Sequence, residues 1–397
     1  MPADPVDTAA PGFEKPKIRL VGESALKVWG LDSLQRMTQI GQRLDVKDVG
    51  RAGADVGNDT GCVLYVRADV LIEDRLVAKL LQKPGCVLAV ALNGRRQAAA
   101  VCATNAHGQA AALLRDGTPL NDTPPGFTVL TPEADELCYD EGLRKRAVPY
   151  VLPLHPETLR DIEWRMFGAS YKGATDFVTK WLWPVPAFHA TRLCARWGLT
   201  PNMVTAASAV LVVMAFGLFW VGAYGPGIVA AWLMTFLDTV DGKLARVTVT
   251  SSRWGNVFDH GIDMIHPPFW YWAWWHGLDD AATATHLTAL WVILSGYVVG
   301  RVIEGAFIAG FKFEMHIWRP FDYWLRAITA RRNPNLAILM IFWLFGQPDV
   351  GVLAVAVWTV LCLMVHFVRL MQAIALKANH VAVVSFLTRR DSAEGLA

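Results

Sequence analysis

The second half of the chain is a succession of apolar runs, and this constrains the fold more than any other feature. The hydrocarbon core of a bilayer takes about 20 helical residues to cross. Within it every backbone N–H and C=O must be satisfied internally, which favours helices. The runs occupy residues 201–223, 227–249, 254–276, 287–311, 336–346 and 350–375. The fifth is short and reads as a span only with its flanks included. Six transmembrane helices are therefore predicted. Composition agrees: 53% of the 397 residues are hydrophobic and 18% are charged, against roughly 25% charged in soluble domains. That excludes a disordered chain, which needs low hydrophobicity and high net charge. It also argues against a wholly soluble globule. The net charge of +2 gives no sign of a nucleic-acid partner, and none is expected.

Charge along the chain sets an orientation. Loops 224–226, 279–281 and 347–349 contain no Lys or Arg. The alternate loops hold Arg246, Arg253, Lys312, Arg319, Arg326, Arg331 and Arg332, and the tail adds Lys377, Arg389 and Arg390. Basic residues in short loops stay cytoplasmic. Both termini are thus expected in the cytoplasm, in a multi-pass protein of the cell (inner) membrane. Trp270, Tyr271, Trp272, Trp274 and Trp275 are expected to form an aromatic belt where the third span leaves the bilayer. Residues 176–197 mix Trp181, Trp183 and Phe188 with Lys180, Arg192 and Arg196, broken by Pro184 and Pro186. That suits a helix lying along the cytoplasmic interface. The first 19 residues have no apolar core, so no cleavable signal peptide is expected.

The first half reads as α/β. Residues 61–67 are a strand candidate, and 70–81 have helical spacing. Residues 86–92 and 98–103 flank Asn93-Gly94, a hairpin signal. Residues 107–114 are a short helix candidate. The basic run Arg144, Lys145, Arg146 reads as a solvated face. The six cysteines, Cys62, Cys86, Cys102, Cys138, Cys194 and Cys362, show no metal-ligand spacing and read as reduced thiols facing a cytosol. The expected organisation is a disordered tail (1–16), a cytosolic α/β domain (17–150), and a linker with an interfacial helix (151–200). An all-α six-helix transmembrane bundle (201–378) and a cytosolic tail (379–397) follow.

Four carboxylates lie inside the second and third spans: Asp238, Asp241, Asp259 and Asp263. One buried in a membrane costs about 3 kcal/mol or more, so four need a compensating reason. At about 100° per residue, Asp238, Asp241, Gly242 and Ala245 fall within roughly 100° of arc, bordered by Arg246. Gly255, Asp259 and Asp263 recur every four residues and form one stripe. The short connection makes the two helices antiparallel neighbours, so the stripes can face each other near the cytoplasmic surface. Converging carboxylates repel unless protonated or bound to cations, and hard oxygen ligands select Mg²⁺, Mn²⁺ or Ca²⁺. Two such ions could clamp a pyrophosphate. Gly242, Ala245 and Gly255 leave that face without bulk, as a bound nucleotide would need. A cation transporter would not need small residues at those positions.

The run D-x-x-D-G-x-x-A-R-x8-G-x-x-x-D-x-x-x-D from Asp238 to Asp263 resembles the signature of the CDP-alcohol phosphotransferase family at all eight fixed positions. Thr200-Pro201-Asn202 and Thr205 resemble the family's lead-in to its first span. The resemblance covers residues 177–377. It implies transfer of a phospho-alcohol from a CDP-linked donor to a hydroxyl acceptor, with CMP released. It implies two Mg²⁺ or Mn²⁺ ions held by Asp238, Asp241 and Asp259, with Asp263 near a metal and acting as general base. Gly242, Ala245, Arg246 and Gly255 would line the CDP pocket. The setting implied is polar-lipid synthesis at a bilayer by a homodimer. Arg331 and Arg332, with Arg301, could hold a phosphate on the acceptor or on a lipid. Plain positive-inside topology, or an ion pair of Arg301 with Glu304, is the competing account.

The first domain resembles the nucleotidyltransferase domain of bifunctional inositol-phosphate cytidylyltransferase and di-inositol-phosphate phosphate synthase proteins. Residues 64–69 look like its strand with a metal-binding Asp. The glycine-rich phosphate loop is missing, since Gly22-Glu23-Ser24 lacks the closely spaced glycines that cradle phosphate. The domain is therefore expected to be degenerate, with Asp69 as a helix-start residue. The alternatives left open are a synthase joining CDP-inositol to an inositol phosphate, and a bifunctional enzyme with an active first domain.

Overall fold

The computed structural model describes residues 15–53, 56–92, 94–115, 119–251, 253–279 and 282–388. The chain forms two compact units. One comprises the residues up to Tyr171 with Arg246–Thr250; the other comprises Lys172–Ala245 with the residues from Ser251 on.

The first unit is α/β. Its main sheet uses β1 (Lys17–Val21), β2 (Asp48–Arg51), β3 (Val63–Arg67), β5 (Cys86–Leu92), β6 (Arg95–Ala103) and β7 (Thr128–Leu130); a short β4 (Val70–Ile72) lies outside it. The order is β2-β1-β3-β6-β5-β7. β1 runs parallel to β2 and β3, β6 is antiparallel to β3 and β5, and β5 is parallel to β7. β3 and β5 are buried along nearly their whole length, which explains their continuous apolar sequences. The helices are α1 (Ser33–Arg43), α2 (Asp74–Leu81), α3 (His107–Arg115), the single turn α4 (Asp135–Cys138) and α5 (Leu159–Ala169). A capping box starts α1: Asp32 Oδ1 accepts from Gln35 N (2.8 Å), and Gln35 Oε1 accepts from Asp32 N (3.1 Å).

The strands expected at 61–67, 86–92 and 98–103 and the helix at 107–114 are present, with small shifts of boundary. The hairpin's Asn93 lies outside the described residues. Two readings need correction. Residues 70–81 are not one helix, because Val70–Ile72 pairs antiparallel with Val151–Pro153 and the helix starts only at Asp74. The β-branched and apolar run Val-Leu-Ile fits a buried strand better than a first helical turn. Asp69 starts no helix. It sits in the turn between β3 and β4, and Arg67 takes both its carboxylate oxygens (2.9 and 2.7 Å). All six cysteines are free.

The second unit is helical. After the π-helical turn Val178–Leu182 come α6 (Pro184–Arg196), α7 (Pro201–Trp220), α8 (Tyr224–Val247), α9 (Arg253–His276), α10 (Ala284–Phe311), α11 (Pro320–Leu325), α12 (Arg332–Leu344) and α13 (Pro348–Ala378). Pro184 opens α6 rather than breaking it, since a first-turn residue has no N–H partner to lose. Pro348 does the same for α13. Among the described residues, α7, α10 and α13 are long and apolar enough to cross a membrane. Val210, Val213, Trp291, Val302 and Val357 are exposed on them, as side chains facing lipid would be.

The expected aromatic belt is instead largely core. Trp270, Tyr271 and Trp274 are buried with Phe219, Ile228 and Val352, and Trp272 is the exposed member. The helical repeat explains the split, because 270, 271 and 274 share one face and 272 the other. Their polar ends are satisfied: Trp270 Nε1 donates to Val212 O and Trp274 Nε1 to Pro348 O, both at 3.0 Å. One close approach pins the ends of α7 and α9. Gly222 has φ +71°, and a Cβ on Gly277 would overlap the Phe219 carbonyl oxygen and crowd the Gly222 backbone. Backbone cannot give way as a flexible side chain can. Gly277→Ala is expected to cost about 1–3 kcal/mol and to lower the thermal midpoint of the detergent-purified protein. An unchanged midpoint would show that the two turns separate freely.

Candidate active site

The four aspartates of the two predicted stripes sit on α8 and α9. Asp241 is 3% exposed. Its Oδ2 accepts from Thr205 Oγ1 of α7 at 2.5 Å, while its Oδ1 is buried and meets no hydrogen-bond donor among the described residues. The same Thr205 hydroxyl lies 3.1 Å from the Pro201 carbonyl, the longer alternative acceptor for its single proton. Asp238, one turn earlier on α8, and Asp263 on α9 meet at one cation. Arg332 Nη2 donates to Asp238 Oδ2 at 2.5 Å, and Arg332 Nη1 donates to Asp263 Oδ1. The structure thus brings Asp238, Asp263 and Arg332 together. Asp259 lies on α9 one turn before Asp263, and its side chain is outside those described. Gly242 and Ala245 are half-buried on α8, as is Gly255 on α9. Arg246 follows Ala245 on α8 and groups with the first unit.

Prolines shape this part of α9. Pro267 and Pro268 lie inside the helix and have no N–H, so the carbonyls of Asp263 and Met264 lose their helical donors. Tyr297 of α10 donates its hydroxyl to the Met264 carbonyl at 2.8 Å. The backbone at Asp263 is therefore held partly by a neighbouring helix.

The other predicted arginines form a separate cluster around Glu304 of α10. Arg331 Nη2 donates to Glu304 Oε1 and Oε2, both at 2.6 Å. Arg301 pairs with Glu304 at 3.1 Å, one turn away on the same helix. His316 Nε2 lies 3.2 Å from Glu304 Oε1, and the rings of His316 and His366 are 5.4 Å apart. Burial pushes the His316 imidazole down to about 3, so it adds no positive charge near neutral pH. Burial also pushes the Arg326 guanidinium down to about 9, against the pull of Asp176 and Glu304. Nε of Arg301, Nε of Arg331, Nη1 of Arg326 and Nε2 of His366 are buried with no hydrogen-bond partner among the described residues. Glu304, His316 and His366 present ligand atoms within 4.8 Å of one another, but Arg331, its Nη2 on both oxygens, already neutralises Glu304.

Sequence reasoning missed Thr205 as a partner of Asp241. It also missed the two buried histidines, and Asp176, whose Oδ1 accepts from Asn333 Nδ2 at 2.9 Å. A polar residue in the first apolar run was a usable signal for Thr205. His316, His366 and Asp176 carry no local pattern that marks them.

Residues 198–320 match the CDP-alcohol phosphatidyltransferase family. Cholinephosphotransferase 1 of Gallus gallus is 33% identical over 138 residues, 31% of this chain and 39% of that protein. A phosphatidylinositol phosphate synthase of Mycobacteroides abscessus is 30% identical over 122 residues, 30% of this chain and 56% of that protein. The chain thus spans about half the length of the curated relatives it matches. Among solved structures, Mycobacterium tuberculosis phosphatidylinositol phosphate synthase with CDP-DAG bound superposes with a TM-score of 0.37 at 21% identity, covering 46% of this chain and 91% of that one. The same enzyme in complex with manganese and citrate has a TM-score of 0.36 at 22% identity, covering 46% of this chain and 87% of that one. Over residues 198–320 the chain carries a CDP-alcohol phosphatidyltransferase domain.

Proposed function

We propose that the protein is an integral-membrane phosphotransferase that moves a phospho-alcohol group from a CDP-alcohol to a hydroxyl acceptor and releases CMP, in polar-lipid synthesis. The observation that carries this reading is the convergence of Asp238 and Asp263 from two helices, beside Asp241 with a buried, unpartnered Oδ1. All the donors there are hard oxygens, and an orphaned buried carboxylate oxygen is costly unless a cation or donor completes it. The residues therefore fit the two Mg²⁺ or Mn²⁺ ions of the proposal, held by Asp238, Asp241 and Asp259 with Asp263 adjoining. Bound there, the ions supply charge neutralisation for the donor's pyrophosphate and for the departing CMP.

The chain's own groups do the rest. Asp263 takes the proton of the acceptor hydroxyl as its oxygen bonds to the phosphorus bearing the donor alcohol. The bond from that phosphorus to CMP breaks, and CMP leaves with the electron pair. Gly242, Ala245, Arg246 and Gly255 line the pocket for the cytidine nucleotide, the three small residues leaving it space. Arg331 and Arg301, with unpartnered N–H groups buried in a cluster of net positive charge, hold a phosphate on the acceptor or on a neighbouring lipid; Arg332 adjoins Arg331 in sequence. In this reading α7, α8, α9, α10, α12 and α13 are six spans of a cell (inner) membrane bundle, with both termini cytoplasmic. Ionisable residues lower the hydropathy of α8 and α9, and α12 spans only with its flanks. The enzyme acts as a homodimer, as the family resemblance implies.

The first unit is proposed as a degenerate nucleotidyltransferase-like domain. Its mixed sheet supports that reading, as does the pairing of Asp69 with Arg67 instead of an open carboxylate. The full chain is expected to release no pyrophosphate from CTP with inositol phosphate or glycerol phosphate. CTP-dependent pyrophosphate would make the protein bifunctional. The overall proposal is tested by incubating purified protein with a panel of CDP-alcohols and acceptors in Mn²⁺, with products identified by mass. A CDP-alcohol that yields CMP and a phosphodiester product is the expected result; intact donors throughout would refute it.

A further inference from the structure

We propose that Arg332 is an internal counter-ion of the acidic site: it competes with divalent cations for Asp238 and Asp263 and yields those carboxylates when the cations bind. This rests on the reading of the same carboxylates as metal ligands. Arg332 is the first residue of α12, and its planar fork reaches two helices at once. Nη2 holds Asp238 Oδ2 at 2.5 Å while Nη1 holds Asp263 Oδ1. Its side chain is 16% exposed, so the pair is screened only weakly by water. A guanidinium stays protonated at any physiological pH. It therefore cannot vacate the site by losing its charge; it has to move.

The oxygens that Arg332 occupies are ones a divalent cation would need. Two carboxylates drawn to one guanidinium in such surroundings repel strongly once that positive charge is taken away. In the absence of metal, then, Arg332 is what lets α8 and α9 bring Asp238 and Asp263 together. Asp241 is different, because Thr205 takes one oxygen and Arg332 touches neither. A cation can approach Asp241 without displacing the arginine, but it recruits Asp238 or Asp263 only by replacing it. Movement of the whole helix end is restrained. The preceding Arg331 is held through Nη2 by both oxygens of Glu304, and Asn333 bonds Asp176 at 2.9 Å. Release is thus a rotation of the Arg332 side chain, away from its contacts with Asn333 Oδ1 (3.2 Å) and Met234 Sδ (3.8 Å).

The test is Mn²⁺ binding to the detergent-purified full chain, read by electron paramagnetic resonance of free Mn²⁺, together with thermal midpoints in EDTA and in saturating Mn²⁺. Arg332→Gln should bind Mn²⁺ at least about tenfold more tightly than the wild type, because the competing charge is gone. Its midpoint in EDTA should fall, and saturating Mn²⁺ should restore more of it than in the wild type. Arg332→Lys keeps the charge but loses the two-pronged bridge, and should bind Mn²⁺ with intermediate affinity. It serves as the readout if the glutamine variant does not fold. Binding that is unchanged or weaker in both variants overturns the counter-ion role while leaving the metal site standing. No Mn²⁺ binding by wild type or variants overturns the metal reading itself, and this inference with it.

Discussion

Asp263→Asn is expected to lower the rate of CMP release by about 10²–10⁴-fold, the usual worth of a positioned general base, while CDP-donor affinity stays within about tenfold. The asparagine keeps the shape and can still accept from Arg332, so the contact that holds α9 to the start of α12 is weakened and not lost. What disappears is the capacity to take a proton. Asp263 suits that task because it is the last acid of its stripe and, at 41% side-chain exposure against 18% for Asp238, the more open of the two carboxylates that Arg332 joins. The backbone behind it is fixed by the Tyr297 contact with Met264. Pre-steady-state CMP release and equilibrium binding of a CDP-alcohol separate the two effects. Parallel loss of donor binding and turnover would move Asp263 into the ligand set.

Asp241→Asn is expected to act earlier, on metal binding itself. The carboxamide oxygen can replace Oδ2 as acceptor for Thr205, so the fold should survive. The other position becomes an NH₂ in the place of a buried, unpartnered oxygen, and an NH₂ cannot ligate a hard cation. Removing even an outer-shell group usually costs 10–100-fold in metal affinity or activity. A direct ligand should cost more, so Mn²⁺ affinity and turnover are both expected to fall by more than about 100-fold. If Asp241 only braces α7 against α8, Mn²⁺ affinity in the variant will equal that of the wild type.

The acidic stripes were legible because they depend on the helical repeat alone. Four residues of α8 and three of α9 occupy one face whatever the rest of the chain does. The partner that joins Asp238 to Asp263 was not legible in this role. Arg332 follows them by 94 and 69 residues, and nothing in the local pattern of Arg331-Arg332 separates the arginine that turns to Glu304 from the one that turns to the aspartates. The same limit explains the first unit. Strands β3, β5 and β6 announce themselves by apolar composition. The solvent-facing β2, with the sequence Asp-Val-Gly-Arg, and the pairing of β4 with residues 151–153 are set by tertiary contacts. The tryptophans of α9 show a related ambiguity. A cluster of aromatic rings suits both a membrane boundary and a core, and only the packing of α7 and α13 decides that Trp270 and Trp274 turn inward.

The central claim, metal-dependent transfer from a CDP-alcohol at the face shared by α8 and α9, is tested most directly by one measurement. CMP release by the purified full chain is followed with a CDP-alcohol and a hydroxyl acceptor in Mn²⁺, then in excess EDTA, then with Mn²⁺ restored. The expected result is turnover that stops on chelation and returns with the metal, because carboxylates gathered from two helices cannot hold a pyrophosphate without cations between them. Full turnover in excess EDTA would contradict the account.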